Sequence, residues 1–239
     1  MIKRPFQTMS SLAFFTMLTL IVPGMGMANQ ACQSTENLSC SVYKGCIEAK
    51  CNCAVTASPY SGTFGPKYCG RFASESNFSK AGQEWRKKTL LCLKDKIQVS
   101  YVNNSEPCNC KQIQKEAIDS HSACYLAKPS FCKLEEADIR VIARIVDAKD
   151  ILALGFPGLA EMGITLATCY WSESIASGNT IARAFVHETI IEGTETATAV
   201  GKDVLDGAIN HAIESGKEEA RKQIEKLKEE FFPIVLPLK

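Results

Sequence analysis

Apolar side chains recur at helical spacing on both sides of a polar turn at 103–107. In a first segment, one helical face collects Ala81, Trp85, Cys92 and Leu93. A second segment repeats the pattern with Ile113, Ala117, Ser120 and Cys124. Ser79 precedes the first segment at a position typical of an N-cap. The pattern predicts two amphipathic helices whose apolar faces a Cys92–Cys124 disulfide would join, with Trp85 in the core.

Helical periodicity continues after residue 134. It predicts a helix with a wide apolar face over 139–146, then helices over 159–177, 181–191, 196–214 and 217–231. Turn-forming residues interrupt the segment 29–68 and exclude long helices there. A short helix at 41–50 is compatible with their positions. No segment alternates convincingly as a strand. The predicted class is therefore all-α, with a disulfide-stapled helical domain followed by a helical C-terminal region.

The first 28 residues have the pattern of a secretory signal peptide. Lys3 and Arg4 precede a short apolar core, and a small-residue cleavage motif ends at Ala28. We expect cleavage there and export of the mature chain, to the extracellular space or to a bacterial periplasm.

Twelve cysteines follow that segment, eleven of them between Cys32 and Cys132. An even number in an exported chain favours disulfides over free thiols. The two C-x-C units, Cys51-Asn52-Cys53 and Cys108-Asn109-Cys110, leave a thiolate metal site as a weaker alternative. We expect no metal and no cofactor.

Charge divides the chain into unlike halves. Residues 29–133 carry 14 Lys and Arg against 8 Asp and Glu, whereas residues 134–239 carry 11 against 18. This pattern fits two solvated surfaces, or attraction between the halves. Neither half is basic enough to indicate a nucleic-acid partner. The apolar segment 151–171 indicates buried helices more than a membrane span.

The residue types of an enzyme site are not grouped in any known pattern. His121, His187 and His211 lie far apart, and no nucleophile elbow or phosphate-binding loop occurs. We therefore expect no enzymatic activity. Asn37, Asn77 and Asn103 stand in N-x-S sequons, which are glycosylation candidates in a eukaryotic source.

The stretch from Cys40 to Cys132 resembles the stanniocalcins, secreted helical glycoprotein hormones of animals. The resemblance is carried by Tyr68-Cys69, by Phe78, Gly82 and Trp85, and by the spacing of the later cysteines. These are Cys92, Cys108, Cys124, Cys132 and Cys169. The resemblance covers about half of the mature chain and is more specific for fold than for activity.

The resemblance implies a disulfide pairing. The implied pairs are Cys40–Cys51, Cys46–Cys69, Cys53 with Cys108 or Cys110, Cys92–Cys124 and Cys132–Cys169, with Cys32 left to the remaining C-x-C cysteine. The chain has no further cysteine for a covalent dimer, which leaves a non-covalent homodimer open.

These observations together predict a signal peptide at 1–28, a stanniocalcin-like helical domain at 29–133, a helical domain at 134–232 and an apolar tail at 233–239. The expected function is that of a secreted, non-enzymatic binding or signalling protein with a protein partner or receptor. The alternative is a secreted membrane-active or toxin-like protein that uses the apolar helices after Ile139.

Overall fold

A computed structural model describes residues 38–55, 60–103, 105–147, 150, 156–172, 178, 180–184, 195–214 and 217–231. The predicted signal peptide, most of the predicted helix at 181–191 and the predicted tail lie outside these residues. The described part is all-α, as predicted, and no strand occurs in it. None of its helices is long and apolar enough to cross a membrane.

The described residues of the cysteine-rich half form π-helical segments, short 3₁₀ turns and α-helices, one of which is much longer than the others. A π-helix at Val42–Glu48 runs directly into α1, and a second π-helix at Tyr60–Phe64 runs directly into α2. The α-helices of this half are α1 Ala49–Cys51, α2 Gly65–Ser74, α3 Lys80–Asn103, α4 Cys110–Asp119 and α5 His121–Leu126. Short 3₁₀ turns lie at Cys53–Val55 and Phe131–Lys133.

Four further helices are delimited among the described residues of the second half. They are α6 Glu136–Ile145, α7 Phe156–Ser172, α8 Glu195–Glu214 and α9 Glu218–Phe231. Helix α7 begins three residues before the predicted start. Pro157 is compatible with this start, since it lies in the first turn, where a missing N–H costs no helical hydrogen bond.

Two predictions about the central helical pair need correction. The second helix is not continuous: α4 ends at Asp119 and α5 starts at His121. There the Ser120 hydroxyl donates to the Ala117 carbonyl at 2.7 Å, a local bond that competes with a continuous helix. Ala81, placed on the buried face of α3, is exposed. Trp85 is buried, as predicted, with 1 % of its surface exposed.

Five disulfides have both cysteines among the described residues. They join Cys40 to Cys69, Cys51 to Cys108, Cys53 to Cys110, Cys92 to Cys124 and Cys132 to Cys169. The last two match the pairs expected from the sequence. Cys92–Cys124 ties α3 to α5, and Cys132–Cys169 ties the Phe131–Lys133 turn to α7.

The pairing implied near the N-terminus is wrong. Cys40 bonds to Cys69 instead of Cys51, because the helical segment between Cys40 and Cys51 separates them. The helical segments Val42–Glu48 and Ala49–Cys51 hold the two cysteines at opposite ends, whereas a disulfide needs Cα atoms within about 7 Å. Cys46 is disulfide-bonded too, but not to Cys69.

The two C-x-C units bond to each other, residue by residue. Their four sulfurs are therefore not available as thiolates, which removes the weaker metal-site alternative. The same bonds exclude the expected bridge from Cys32 to a C-x-C cysteine, and Cys32 itself lies outside the described residues.

Buried apolar residues form two clusters. The smaller one lies among the N-terminal turns, α3 and α4, and includes Tyr43, Ile47 and Ile113. The larger one extends from Tyr68 to Ile224 and so contains residues from both sides of the boundary predicted between 133 and 134.

Candidate functional site: an aromatic cavity between the two clusters

An apolar cavity of about 130 Å³ lies where the two core clusters meet. Its walls come from both π-helical turns and from α2, α3, α5, α6 and α7. The aromatic residues that line it include Tyr43, Tyr60, Phe64, Trp85, Tyr125 and Phe131. Its interior is therefore mainly apolar surface, aromatic and aliphatic, broken by a few polar atoms.

One wall follows from an aromatic residue at every fourth position. Tyr60, Phe64, Tyr68 and Phe72 line the cavity from the second π-helical turn and from α2. Residues four apart share a helix face, and the Phe64 ring lies 4.5 Å from the Tyr68 ring and 5.7 Å from the Tyr60 ring, between centroids. We did not single out this spacing in the sequence, although it is visible there and could have located the wall.

A second wall is centred on Trp85. Its ring contacts Tyr125 and Phe131, with centroid distances of 5.9 and 5.8 Å. Its indole Nε1 donates to the Tyr125 carbonyl at 3.2 Å, which satisfies its polar atom inside the protein. Trp85 is thus a core residue and a cavity wall at once.

Buried phenol groups supply part of the polar surface. The hydroxyls of Tyr43 and Tyr60 hydrogen-bond to each other, and burial raises the pKa of Tyr43 to about 12. Burial, with a smaller contribution from Glu161, also raises the pKa of Tyr125. All three phenols are therefore neutral at physiological pH and available as hydrogen-bonding groups.

His121 sits edge-on between Tyr60 and Tyr125, with centroid distances of 6.2 and 5.6 Å. Its Nδ1 lies 2.8 Å from the Ala117 carbonyl oxygen, and a carbonyl only accepts, so Nδ1 carries the proton. Desolvation in this position lowers the pKa of His121. A neutral ring leaves Nε2 as an acceptor.

Glu161 brings a carboxylate to the cavity from α7. Its side chain is part of the lining, and the residue is only 9 % exposed. One oxygen, Oε2, accepts a hydrogen bond from the Ser122 backbone N–H at 2.8 Å, in the first turn of α5. The sequence does not predict this position of Glu161, because nothing in the local pattern shows that α7 turns its side chain inward.

Disulfides fix the walls in place. Cys69 itself lines the cavity and is bonded to Cys40. The bonds of Cys92 to Cys124 and of Cys132 to Cys169 hold α5 against α3 and α7 against the turn that carries Phe131. The predicted disulfide cysteines therefore form the frame of the site, while the lining residues make its surface.

Ion pairs between the two halves lie at one edge of the cavity. Lys67 Nζ lies 2.5 Å from carboxylate oxygens of both Asp147 and Asp150. The Tyr68 hydroxyl donates to Asp150 at 2.8 Å and accepts from the Asp147 N–H at 3.0 Å. Attraction between the basic and acidic halves, raised by the charge pattern, thus occurs within the chain at this edge.

The glycosylation candidates are remote from the cavity lining. Asn77 is exposed just before α3, and its amide donates to Glu75 at 2.7 Å. Asn103 is exposed at the end of α3. Asn37 lies outside the described residues.

Comparison with known proteins found no matching family model, no similar curated protein and no similar solved structure. The fold and the site together define the class of protein: a disulfide-stapled, all-α protein with an aromatic cavity.

Proposed function

We propose that this protein is a secreted, non-enzymatic binding protein that holds a small apolar ligand in the aromatic cavity. The observation that carries the proposal is the cavity itself, about 130 Å³ and lined mainly by aromatic and aliphatic side chains. An engineered cavity of about 150 Å³ in another protein is large enough to bind benzene. A ligand of that size fits this one.

Export is supported by the cysteines. Five disulfides within the described residues persist only in an oxidising compartment, such as the extracellular space or a bacterial periplasm. They also preorganise the walls, which lowers the entropic cost of binding.

Toluene titration tests the proposal. We expect toluene to bind the secreted protein with one site per chain, measured by isothermal calorimetry. Leu166→Phe places additional atoms into the cavity wall and should abolish binding, whereas Val99→Phe, on an exposed position of α3, should leave it unchanged. Circular dichroism checks that both variants fold. Absence of toluene binding to the wild-type protein would contradict the proposal.

The hormone-like role that the resemblance to stanniocalcins implies, with its receptor and a non-covalent homodimer, stays a prediction. So does the membrane-active alternative. The small residues of α8 have a packing role, because Gly207 and Ala208 lie against Gly163 of α7.

A further inference from the structure

We propose that the ligand carries an ammonium group, which pairs with Glu161 while its apolar part packs among the aromatic rings. The inference rests on the proposed binding function and names its ligand class: a small aralkyl amine, of which benzylamine is the simplest example. Three observations carry it, namely the unsatisfied oxygen of Glu161, the absence of a cation in the lining and the aromatic character of the walls.

The first observation is that Glu161 is only half satisfied. Its Oε2 accepts from the Ser122 N–H, but Oε1 has no hydrogen-bond partner among the described residues. Glu161 is 9 % exposed, and its side chain is part of the cavity lining. A donor that enters the cavity would supply the missing bond.

The second observation concerns the charges of the cavity lining. Among the described residues that line the cavity there is no Lys and no Arg. His121 is neutral because desolvation lowers its pKa. An ammonium group would therefore meet no like charge in the lining, whereas a carboxylate or phosphate ligand would lie beside the carboxyl group of Glu161.

The third observation is that the other walls suit a cation with an apolar body. Aromatic faces attract ammonium groups through their quadrupoles, and the attraction grows when water is excluded. Tyr125 lies near Glu161, whose charge contributes to its raised pKa. An ammonium group beside Glu161 would thus also meet the Tyr125 ring or hydroxyl, and the remaining rings would enclose the rest of the ligand.

Glu161 also has a structural interpretation, because its bond to Ser122 caps the first turn of α5. The variant Glu161→Gln separates the two roles. Glutamine keeps an oxygen that accepts from the Ser122 N–H, so the cap remains, but it removes the charge that an ammonium group would pair with. Thermal unfolding of the variant checks that the fold is retained.

The experiment is a calorimetric titration of wild-type protein and Glu161→Gln with benzylamine and toluene at neutral pH. We expect Glu161→Gln to weaken benzylamine binding by at least about tenfold, the size expected for one charge-assisted hydrogen bond. Toluene binding should stay within about twofold. Benzoate, which has the same ring and the opposite charge, should not bind the wild-type protein.

The outcomes separate this inference from the proposed function. If toluene binds and benzylamine does not, or if Glu161→Gln leaves benzylamine affinity unchanged, the ammonium inference is wrong and the apolar binding function stands. A loss of both ligands in a folded Glu161→Gln variant would show that Glu161 only shapes the cavity. If neither toluene nor benzylamine binds the wild-type protein, both proposals fail.

Discussion

At the scale of single residues, Asp138 shows how one buried carboxylate orders a helix start. Asp138 is 1 % exposed and accepts hydrogen bonds from the Ser79 N–H at 2.8 Å and from the Ser79 hydroxyl at 2.6 Å. The Ser79 oxygen in turn accepts from the Gly82 N–H at 3.1 Å, as an N-cap of α3 should. The predicted cap is therefore present, and a residue 59 positions away holds it.

We predict that Asp138→Ala lowers the free energy of unfolding by about 2–4 kcal/mol, because two hydrogen bonds to a charged acceptor are lost and the cap loses its support. Urea unfolding monitored by circular dichroism measures the change. The matched control is Glu135→Ala, an exposed carboxylate three residues earlier, which should change stability by less than about 0.5 kcal/mol. Equal effects of the two substitutions would contradict this role for Asp138.

His121 links a residue-scale property to pH. Desolvation lowers the pKa of its ring below the ordinary value of 6.5, so the unfolded chain binds a proton more readily than the folded protein does. The contribution of His121 to the free energy of unfolding is therefore fully present above pH 6.5. It decreases as the pH falls from about 6.5 towards the pKa of His121 in the folded protein.

We predict that the urea midpoint decreases between pH 7.5 and 5.5 and that His121→Gln reduces this decrease. The control is His211→Gln, a position on α8 outside the cavity lining, which should keep the wild-type pH dependence. A wild-type pH profile in His121→Gln would show that another group is responsible.

At the scale of elements, close packing of α7 on α8 depends on one glycine. A Cβ on Gly163 would lie 2.8 Å from the Ala208 nitrogen and 2.8 Å from the Gly207 carbonyl carbon. Both are backbone atoms of α8, so the helices would have to separate. In α2, by contrast, a Cβ on Gly70 meets nothing within 4 Å.

We predict opposite effects for the same substitution at these two positions. Gly163→Ala should destabilise the protein by about 1–3 kcal/mol through overpacking. Gly70→Ala should stabilise it by up to about 1 kcal/mol, since alanine is the better helix former. Thermal unfolding of the two variants compares them directly, and a stabilised Gly163→Ala variant would contradict the packing of α7 against α8.

At the scale of the whole molecule, the larger core cluster and the Cys132–Cys169 bond connect the two halves. Trp85 from the cysteine-rich half and Ile139, Leu205 and Ile224 from the second half belong to this one cluster. Halves that share a core lose stability together when either is disrupted.

We therefore predict a single cooperative unfolding transition. In Trp171→Phe the fluorescence of Trp85 alone reports on the cysteine-rich half, while circular dichroism reports on all helices. The two signals should have the same urea midpoint under non-reducing conditions. Separate midpoints would show that the halves unfold independently.

The sequence by itself determined the helical class, the N-cap at Ser79, the burial of Trp85 and the Cys92–Cys124 bond. These depend on local information: the 3.6-residue period, the capping preference of serine and two cysteines on the apolar faces of neighbouring helices. The aromatic residues at 60, 64, 68 and 72 follow the same period and were equally open to prediction.

Only the tertiary structure decided the pairing of Cys40 with Cys69 and the C-x-C ladder, because which cysteines meet depends on how the N-terminal turns fold against α3 and α4. The hydrogen bonds between Ser79 and Asp138 arise from a contact that no local pattern contains. The cavity is of the same kind: Glu161, His121 and Trp85 lie 36 to 76 positions apart in the chain, and the packing of α3, α5 and α7 alone brings them to one site.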